Sequence, residues 1–449
     1  MLLQFINLRV SIKILLIVRG KKKRCPLIIL LIFMTTYYGY NTAMNNVAII
    51  GGGAAGLMAA LAASQAGANV TLFEHNKNIG KKILASGNGR CNIINTTAYS
   101  SDYFGTSPEF VTYALEAMPF QAFERFCLSI GLLLDTKDDG RCYPLSNEAK
   151  SVVNAFSEAI KQTNIKVKPE TYVTQVLKEN QKFLVITEET KTPFDKVLIT
   201  TGSEAAPQLG ATADGYAFAT AFGHTVEPTY PALVQLHLDS EIHHLMSGVK
   251  TVAEVTLYLN GKPQEKVLGD TLFTKYGISG LSILDLSQKA SLALIEFQAV
   301  SVGLNLLPQF NRQSLATQLE KLFQAIPKYS LEQALSGMIA LKITPHLIKS
   351  AKLDPLCLVS TLNTKQIKKI AHTLQDWRFD VTQTHGFKHA EVSGGGVRTA
   401  DINEKTMESK LVKGLFFAGE VLDVVGKRGG YNFNFAWASG LLAGKALTQ

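Results

Sequence analysis

The chain has 449 residues, enough for two or three domains with a large apolar core. Its formal net charge is +9, but residues 1–43 contain seven Lys and Arg and no acid, so the remainder carries 38 basic and 36 acidic residues. A body this close to neutral gives no electrostatic reason to expect nucleic acid as a partner. The five cysteines are scattered without a CxxC pair, which excludes a disulfide framework, predicts no metal site and favours the reducing cytoplasm.

Residues 1–43 hold two apolar runs separated by a basic cluster. Ile14–Val18 and Leu27–Met34 are both much shorter than the roughly 20 residues that cross a bilayer. A signal peptide and a weak membrane anchor are alternatives, although a small-residue cleavage pattern is missing. Met44 stands shortly before the first predicted strand. We therefore expect residues 1–43 to be an extension outside the fold, and we expect no integral membrane span.

The next stretch has the order of elements that is typical of a dinucleotide site. Val47–Ile50 is a short, β-branched apolar run, which predicts a buried parallel strand. Glycines at GxGxxG spacing follow, then a predicted helix of small residues over Ala54–Ala66, and then a second strand, Asn69–Phe73, that ends at an acid. The glycines permit a tight turn, close approach of a pyrophosphate and close helix packing, while the acid binds a ribose. The motif leaves FAD and NAD open, and its predicted binding residues are Gly51, Gly53, Ala54, Ala55, Gly56 and Glu74.

A polar loop over Gly80–Asn92 follows the ribose-binding strand. It contains glycines, an arginine and amide side chains within a few residues. A solvated surface loop is one interpretation. Its position directly after the strand favours a loop that runs along the cofactor toward its reactive ring. The candidate cofactor-binding residues here are Lys82, Gly87, Arg90, Cys91 and Asn92.

A further strand of the same sheet is predicted over Asp195–Gly202. In doubly wound sheets the carboxyl ends of the strands line the ligand crevice. Thr201 and Gly202, at the end of this strand, are therefore also candidates for cofactor binding.

The middle of the chain changes its pattern twice. Over residues 232–304 short apolar runs alternate with polar residues, as in Val252–Asn260 and Leu292–Val302, which predicts an antiparallel β domain. Over residues 308–374 prolines separate helical segments. Trp377–Val381 is predicted to be extended, and the chain then returns toward the sheet.

The C-terminal block repeats the arrangement that begins the fold. Gly414–Glu420 is predicted to be a buried strand that ends in an acid, Gly426–Gly430 is a glycine-rich loop, and Asn432–Leu447 is a predicted helix of small residues. We expect this block and the first motif to lie side by side in one sheet, each offering a helix N-terminus to an anion. Two such sites on one ligand require a long dinucleotide. The candidate residues of the block are Gly419, Glu420, Gly430, Tyr431 and Asn432.

Four motifs together resemble one known family. They are the N-terminal glycine fingerprint, the Ser-Gly-Asn-Gly-Arg-Cys-Asn sequence at 86–92, Gly-Ile-Ser-Gly at 277–280, and Gly-Glu-Val-Leu-Asp at 419–423 followed by Gly-Gly-Tyr-Asn at 429–432. Over about residues 46–446 the chain is similar to the BaiN/RdsA-like (YhiN-type) NAD(P)/FAD-dependent oxidoreductases. Cys142 and Lys427–Arg428 depart from the residues usual in that family.

The resemblance implies FAD as the cofactor and assigns parts of it to matching residues. Gly51, Gly53 and Gly56 face the pyrophosphate and Glu74 the adenine ribose. The loop with Lys82, Arg90, Cys91 and Asn92 lies along the ribityl and flavin portion, Glu420 lies near the ribityl chain, and Gly430–Asn432 near the pyrimidine edge.

The predicted fold class is α/β: a Rossmann-like doubly wound FAD-binding domain, discontinuous in sequence, with an inserted antiparallel β domain and a small helical domain. The expected division of the chain is residues 1–43 as the extension, 44–228 as the first part of the FAD-binding domain, 229–304 as the β substrate domain, 305–378 as the helical insertion and 379–449 as the second part of the FAD-binding domain.

The expected function is hydride transfer through flavin N5, with NAD(P)H as a transient donor and a small organic acceptor. No second GxGxxG unit is visible, so a nicotinamide must dock transiently against the flavin. A helix that begins near Asn432 would stabilise negative charge on the reduced ring. An oxygen-dependent oxidase of a small amine and a non-catalytic flavin-binding interaction protein are the alternatives. No catalytic residue is assigned from the sequence.

Overall fold

The computed structural model describes residues 45–240 and 242–449. The predicted extension over residues 1–43 lies outside these residues. The helices are α1 (Ala54–Gln65), α2 (Lys81–Ala85), α3 (Val111–Ala117), α4 (Phe120–Ser129), α5 (Ala149–Lys161), α6 (Asp214–Ala221), α7 (Ile242–Leu245), α8 (Leu281–Ile295), α9 (Arg312–Ala325), α10 (Leu331–Leu335), α11 (Thr344–Ser350), α12 (Thr364–Gln375) and α13 (Tyr431–Ala446).

The strands are β1 (Asn46–Ile50), β2 (Asn69–Phe73), β3 (Ile94–Asn95), β4 (Tyr103–Phe104), β5 (Leu134–Thr136), β6 (Arg141–Pro144), β7 (Lys166–Lys168), β8 (Val173–Glu179), β9 (Lys182–Thr187), β10 (Lys191–Phe194), β11 (Lys196–Ile199), β12 (Val226–Ala232), β13 (Leu236–Leu238), β14 (Lys250–Leu259), β15 (Lys262–Phe273), β16 (Gly277–Ser279), β17 (Val300–Asn305), β18 (Trp377–Thr384), β19 (Val392–Val397), β20 (Leu415–Phe417) and β21 (Val425–Gly426).

A five-stranded sheet in the order β20-β11-β1-β2-β7 forms the Rossmann-like core, and its neighbouring strands are parallel. Its central strands are continuous apolar runs with almost no exposed surface, because both faces of a parallel sheet are covered. The sequence predicted that β1 and β20 belong to one sheet, and they do. They are not adjacent, however, since β11 pairs with both β1 and β20.

Helices α1 and α13 pack against each other with very little space between their backbones. A Cβ atom on Gly440 would lie 2.4 Å from the Ala55 carbonyl oxygen, and one on Gly444 would lie 2.5 Å from the Ala59 carbonyl oxygen. Only glycine permits so close an approach. The small-residue composition that predicted both helices therefore fixes how the two chain segments meet.

A closed barrel of six strands, in the order β13-β16-β15-β14-β17-β18, forms the second core. Its last strand comes from beyond the helical residues 312–375, and it pairs with β17 on one side and β13 on the other. Pairing on both sides removes the exposed edges of the sheet. The proposed division of the chain into domains stays a prediction.

The expectation of a β run over Leu292–Val302 was wrong for its first part. Helix α8 continues to Ile295, and β17 begins only at Val300. Within α8 the buried side chains Ile283, Leu286, Ala290 and Ala293 recur at helical spacing. A short stretch of sequence that begins inside a helix does not distinguish helical spacing from the alternation of a β-strand.

No helix in residues 45–240 and 242–449 has both the length and the apolar character that a bilayer crossing requires.

Candidate functional site

The N-terminus of α1 has the geometry of a candidate anion site. Gly51 has φ +110°, and a Cβ atom there would lie 2.3 Å from the Thr200 carbonyl oxygen. A Cβ atom on Gly56 would lie 2.0 Å from the Gly51 carbonyl oxygen, whereas one on Gly53 would meet nothing within 4 Å. No side chain caps α1. The first-turn amides, at Ala54 and Ala55, therefore open onto free space, where a phosphate group fits.

Glu74 is fixed beside this turn. It is buried, its Oε2 accepts a 2.9 Å hydrogen bond from the Gly52 amide, and its Oε1 accepts bonds of 2.7 and 2.8 Å from the backbone and side-chain nitrogens of Asn76. A carboxylate has about four acceptor positions, so one remains for a ribose hydroxyl. The carboxylate thus holds the glycine turn in place and keeps one acceptor for a ligand.

Glu420 occupies the centre of a polar network near the end of β20. Its Oε2 lies 2.7 Å from Nζ of Lys82. Its Oε1 accepts a 2.7 Å hydrogen bond from the Ser203 hydroxyl and a 3.1 Å bond from the Ser393 amide. A Cβ atom on the preceding Gly419 would lie 2.8 Å from Cβ of Ala55, so this network adjoins the α1 N-terminus. Four separate segments of the chain therefore converge on one carboxylate.

The loop after β2 carries the other residues that the family resemblance assigns to the cofactor. Gly87 and Arg90 are exposed, and the Arg90 guanidinium lies over the Tyr143 ring at 5.4 Å from its centroid. The Asn92 Oδ1 accepts a 3.3 Å hydrogen bond from the Cys142 amide. A Cβ atom on Gly430 would lie 2.9 Å from this same Oδ1. The loop is therefore in contact with the start of α13.

Cys91 is a protonated structural thiol. It is fully buried, with a backbone φ of +57°. Burial raises the pKa of its thiol to about 12, although a hydrogen bond with Ser86 opposes the rise. A nucleophilic or redox cysteine needs a lowered pKa and access to solvent.

The N-terminus of α13 is a second candidate anion site. Gly430 has φ +97°, and no side chain caps the helix. The Asn432 side chain instead binds Gly426, accepting from its amide at 2.8 Å and donating to its carbonyl at 2.9 Å. The carbonyl of Tyr431 accepts a 2.9 Å bond from the Tyr103 hydroxyl. These contacts hold the glycine-rich loop and leave the first-turn amides of α13 for a ligand.

The two helix N-termini lie at different heights along the same crevice. Gly440 of α13 contacts Ala55 in the first turn of α1, and Gly444 contacts Ala59, so the two helices run in the same direction. Tyr431 begins α13 nine residues before Gly440. At an α-helical rise of about 1.5 Å per residue, α13 extends about 12 Å beyond the start of α1 at Ala54. A ligand that reaches both ends must be extended, as FAD is, and the donors at each end fit it.

Thr201 and Gly202 lie where β11 ends. Gly202 has φ +78° and open space around its Cα atom. The Thr201 hydroxyl is buried without a hydrogen-bond partner in the described part of the chain, and a Cβ atom on Gly215 of α6 would lie 2.1 Å from it. The Thr201 side chain therefore packs on α6, and only the backbone at Gly202 faces open space.

An ion pair of Arg428, whose partner the sequence did not reveal, joins the Rossmann-like core to the barrel. The Arg428 guanidinium donates two 2.9 Å hydrogen bonds to Asp285 on α8. Burial raises the pKa of the neighbouring Glu391 carboxyl, and Asp285 adds to this rise, while Arg428 and Lys82 oppose it. The Glu391 side chain is nevertheless open to solvent. The carboxyl is therefore accessible to a ligand from solvent, and its surroundings favour the protonated form.

Three further residues of the site were missed from the sequence: Ser203, Ser393 and Tyr216. Ser203 follows the predicted Thr-Gly strand end and Ser393 precedes the three glycines at 394–396, and these neighbours are the only signals for them. Burial, together with the carboxylates of Glu420 and Glu204, raises the pKa of Tyr216. Nothing in the local sequence pattern distinguishes Tyr216 from a core residue.

Comparison with known proteins gives one family over nearly the whole chain. Residues 45–446 match the family described as HI0933-like protein Rossmann domain. The 3-dehydro-bile acid delta(4,6)-reductase of Clostridium scindens is 33% identical over 88% of this chain and 97% of its own length. The ribosomal RNA dihydrouridine synthase of Escherichia coli is 33% identical over 86% of this chain and 93% of its own length.

Among solved structures, 3-ketosteroid delta1-dehydrogenase from Sterolibacterium denitrificans in complex with 1,4-androstadiene-3,17-dione aligns with a TM-score of 0.49. It is 11% identical and covers 91% of this chain and 100% of its own.

Proposed function

The chain belongs to the HI0933-like Rossmann family and is an FAD-dependent oxidoreductase, and we propose that it reduces a carbon–carbon double bond conjugated to a carbonyl group. The extended double site at the N-termini of α1 and α13 supports this most directly, because it fits the cofactor that such a reaction needs.

The chemistry of the relatives supports the type of acceptor. A delta(4,6)-reductase of a 3-dehydro-bile acid acts on double bonds conjugated to the 3-keto group, and a dihydrouridine synthase acts on the uracil double bond conjugated to a ring carbonyl. Both reactions add a hydride to the carbon far from the carbonyl and a proton to the near carbon. This chain is 33% identical to each of the two proteins, so the shared chemistry is the proposal and either molecule is a candidate acceptor.

Residues of this chain would hold the cofactor from end to end. The amides at Ala54 and Ala55 would bind the pyrophosphate, and Glu74 the adenine ribose. Lys82 and Glu420 would bind the ribityl region, and the first turn of α13 the pyrimidine edge of the flavin. When bound, FAD supplies reversible hydride transfer at its N5 atom.

We propose that the Glu391 carboxyl delivers the proton, because it is exposed and lies two residues before Ser393, whose amide binds Glu420. Its raised pKa keeps a proton on the carboxyl at a higher pH than an exposed glutamate would. Its neighbours Arg428 and Lys82 would stabilise the carboxylate that remains after transfer.

The proposed electron donor is NAD(P)H, which would dock transiently against the site because a second GxGxxG motif is absent from the sequence. The proposed location is the cytoplasm. Four cysteines of the described residues are free thiols, which fits a reducing compartment.

The test is a two-step flavin titration under anaerobic conditions. NADH or NADPH should bleach the flavin absorbance of the purified protein, and a conjugated enone or a uridine-containing RNA should restore it. Restoration by oxygen after bleaching with a small amine, without NAD(P)H, would instead favour the amine oxidase. A flavin that is bleached but restored by no acceptor would favour the non-catalytic binding protein, and a preparation without flavin contradicts the assignment.

A further inference from the structure

The charge of the folded part is unevenly distributed. Residues 305–378 contain ten Lys and Arg and four Asp and Glu, a net charge of +6. Residues 45–304 and 379–449 together contain 28 Lys and Arg and 32 Asp and Glu, a net charge of −4. The net charge of the folded part is therefore near zero although one segment, which consists of α9 to α12 and the start of β18, is basic. This segment is the place to look for an anionic partner.

Helix α12 presents a continuous basic face to solvent. Lys365, Lys368, Lys369 and His372 follow the spacing i, i+3, i+4 and i+7, and all four side chains are exposed. The apolar residues of α12 are all buried against the neighbouring helices and the barrel. We call these four exposed residues the α12 basic face. Because it offers no apolar side chain for insertion, it does not suit a lipid bilayer.

The cations of this segment are largely unpaired. Of its ten Lys and Arg, only Arg378 forms an ion pair with an acid among residues 45–240 and 242–449, with Asp376 at 3.0 Å. Elsewhere lysines commonly pair, as Lys289 does with Glu265 at 2.5 Å. Unpaired exposed cations on one helix face are available to an external polyanion.

The α12 basic face borders a cleft of about 430 Å³ between α12 and the barrel. Its charged lining consists of Lys369, His372 and Arg378 together with the carboxylates of Asp239, Asp376 and Asp380. These carboxylates repel phosphate inside the cleft, so an anion would lie along the outer surface of α12.

The position of the face selects a long ligand. Strand β18 starts at this cleft with Trp377 and spans about 23 Å at roughly 3.3 Å per residue. The chain then continues past the end of β18 to Ser393, which binds Glu420 in the cofactor site. A ligand that contacts both the α12 basic face and the cofactor site must therefore be long, as a polynucleotide is.

From this geometry we infer that the α12 basic face binds the phosphate backbone of a single-stranded RNA segment whose uracil base is the acceptor. The inference rests on the proposed function, since it chooses the RNA among the two candidate acceptors. It departs from the expectation of no nucleic-acid partner, which depended on the charge summed over the whole body.

The test compares two triple variants of the full chain, loaded with FAD. Lys365→Glu, Lys368→Glu and Lys369→Glu change the α12 basic face. Lys150→Glu, Lys166→Glu and Lys262→Glu make the same total charge change at exposed lysines that have no ion pair in the described residues. Binding of a fluorescently labelled uridine oligonucleotide is measured by anisotropy at several salt concentrations.

We expect the α12 variant to raise the Kd at least tenfold and the control variant to raise it less than threefold. Three lost phosphate contacts should also reduce the salt slope of log K by about 2, at roughly 0.7 per contact for single strands. Equal loss in both variants, no loss in the α12 variant, or no binding by the unaltered protein would overturn the inference.

Two measurements keep this test independent of folding and of the proposed reaction. The glutamine triple variant Lys365→Gln, Lys368→Gln, Lys369→Gln should weaken RNA binding in the same direction with an unchanged thermal unfolding midpoint. Enone reduction should be equal in the α12 variant and the unaltered protein. Failure of the unaltered protein to reduce either an enone or a uridine-containing RNA would contradict the proposed function, whereas selective loss of RNA binding in the α12 variant supports the surface.

Discussion

The ammonium group of Lys82 lies 2.7 Å from the carboxylate of Glu420, and this ion pair joins the loop after the second strand of the sheet to the C-terminal strand. Both side chains are half-buried, with 33% and 17% of their surface exposed. The Ser203 hydroxyl and the Ser393 amide donate hydrogen bonds to the other carboxylate oxygen of Glu420. It connects the two parts of the Rossmann-like core at the point where we place the ribityl region.

Lys82→Met should weaken FAD binding about tenfold, equivalent to about 1.4 kcal/mol. The loss follows because Glu420 would keep its charge in a half-buried position without its cation. Fluorescence titration of the apoprotein with FAD measures the Kd. Lys137→Met is the matched control, since its 2.6 Å pair with Asp135 is exposed and should contribute little. An unchanged Kd in Lys82→Met would remove this pair from the cofactor site.

Gly53→Ala should separate cofactor binding from folding. A Cβ atom there meets nothing within 4 Å, so the unfolding free energy of the apoprotein should stay within about 0.5 kcal/mol. The same methyl group would enter the space assigned to the pyrophosphate and should lower FAD affinity at least tenfold. Gly56→Ala should do the reverse and destabilise the apoprotein, because its Cβ atom would lie 2.0 Å from the Gly51 carbonyl oxygen. Denaturant unfolding and FAD titration of both variants test the contrast.

Gly440→Val should destabilise the fold by about 3 kcal/mol, at the upper end of overpacking effects. The valine side chain would force α13 away from Ala55, because even a Cβ atom on residue 440 would lie 2.4 Å from the Ala55 carbonyl oxygen. Gly337→Ala serves as the control, because a Cβ atom there meets nothing within 4 Å and the residue is exposed. Equal unfolding free energies of the two variants in denaturant would show that the close helix contact is not required.

Glu391→Gln should slow reoxidation of the reduced flavin by an enone about a hundredfold, within the usual range for a general acid, and leave bleaching by NAD(P)H unchanged. In the unaltered protein the pKa of this carboxyl is raised, so reoxidation should be fastest below that pKa and decline as pH rises through it. The glutamine variant should lose this decline. Stopped-flow absorbance of each half-reaction across pH measures both effects, and an unchanged pH profile would exclude Glu391 as the proton donor.

The folded protein should protect Cys91 from alkylation at pH 8, while the half-buried Cys357 reacts first among the four described cysteines. Since burial raises the pKa of Cys91 to about 12, its contribution to stability is full below the unfolded pKa and is lost as pH rises from there to about 12. Cys91→Ser should therefore flatten the alkaline decline in unfolding free energy. Peptide mass spectrometry after iodoacetamide treatment follows the order of reaction, and early labelling of Cys91 would contradict its burial.

Local sequence was sufficient for the parts of this protein whose physics is local. The order of strand, glycine turn, helix and acid over Val47–Glu74 predicted a dinucleotide motif, because a turn at Gly51 and a close helix at Gly56 each need a residue without a side chain. The repeated pattern at Gly414–Asn432 predicted a second strand and helix in the same sheet for the same reason. The fold class and the family were predictable from these motifs.

Tertiary structure alone decided which distant side chains meet. Three features depend on contacts between segments far apart in the chain. A strand lies between the two motifs in the sheet, Trp377–Thr384 closes the barrel, and Ser203 and Ser393 converge on Glu420. The placement of Glu391 beside Arg428 and Asp285 has the same origin. Alternation and glycine spacing report which face of an element is buried, but not which element covers it, so the side chains around Glu420 and Glu391 are identified only when the chain is folded.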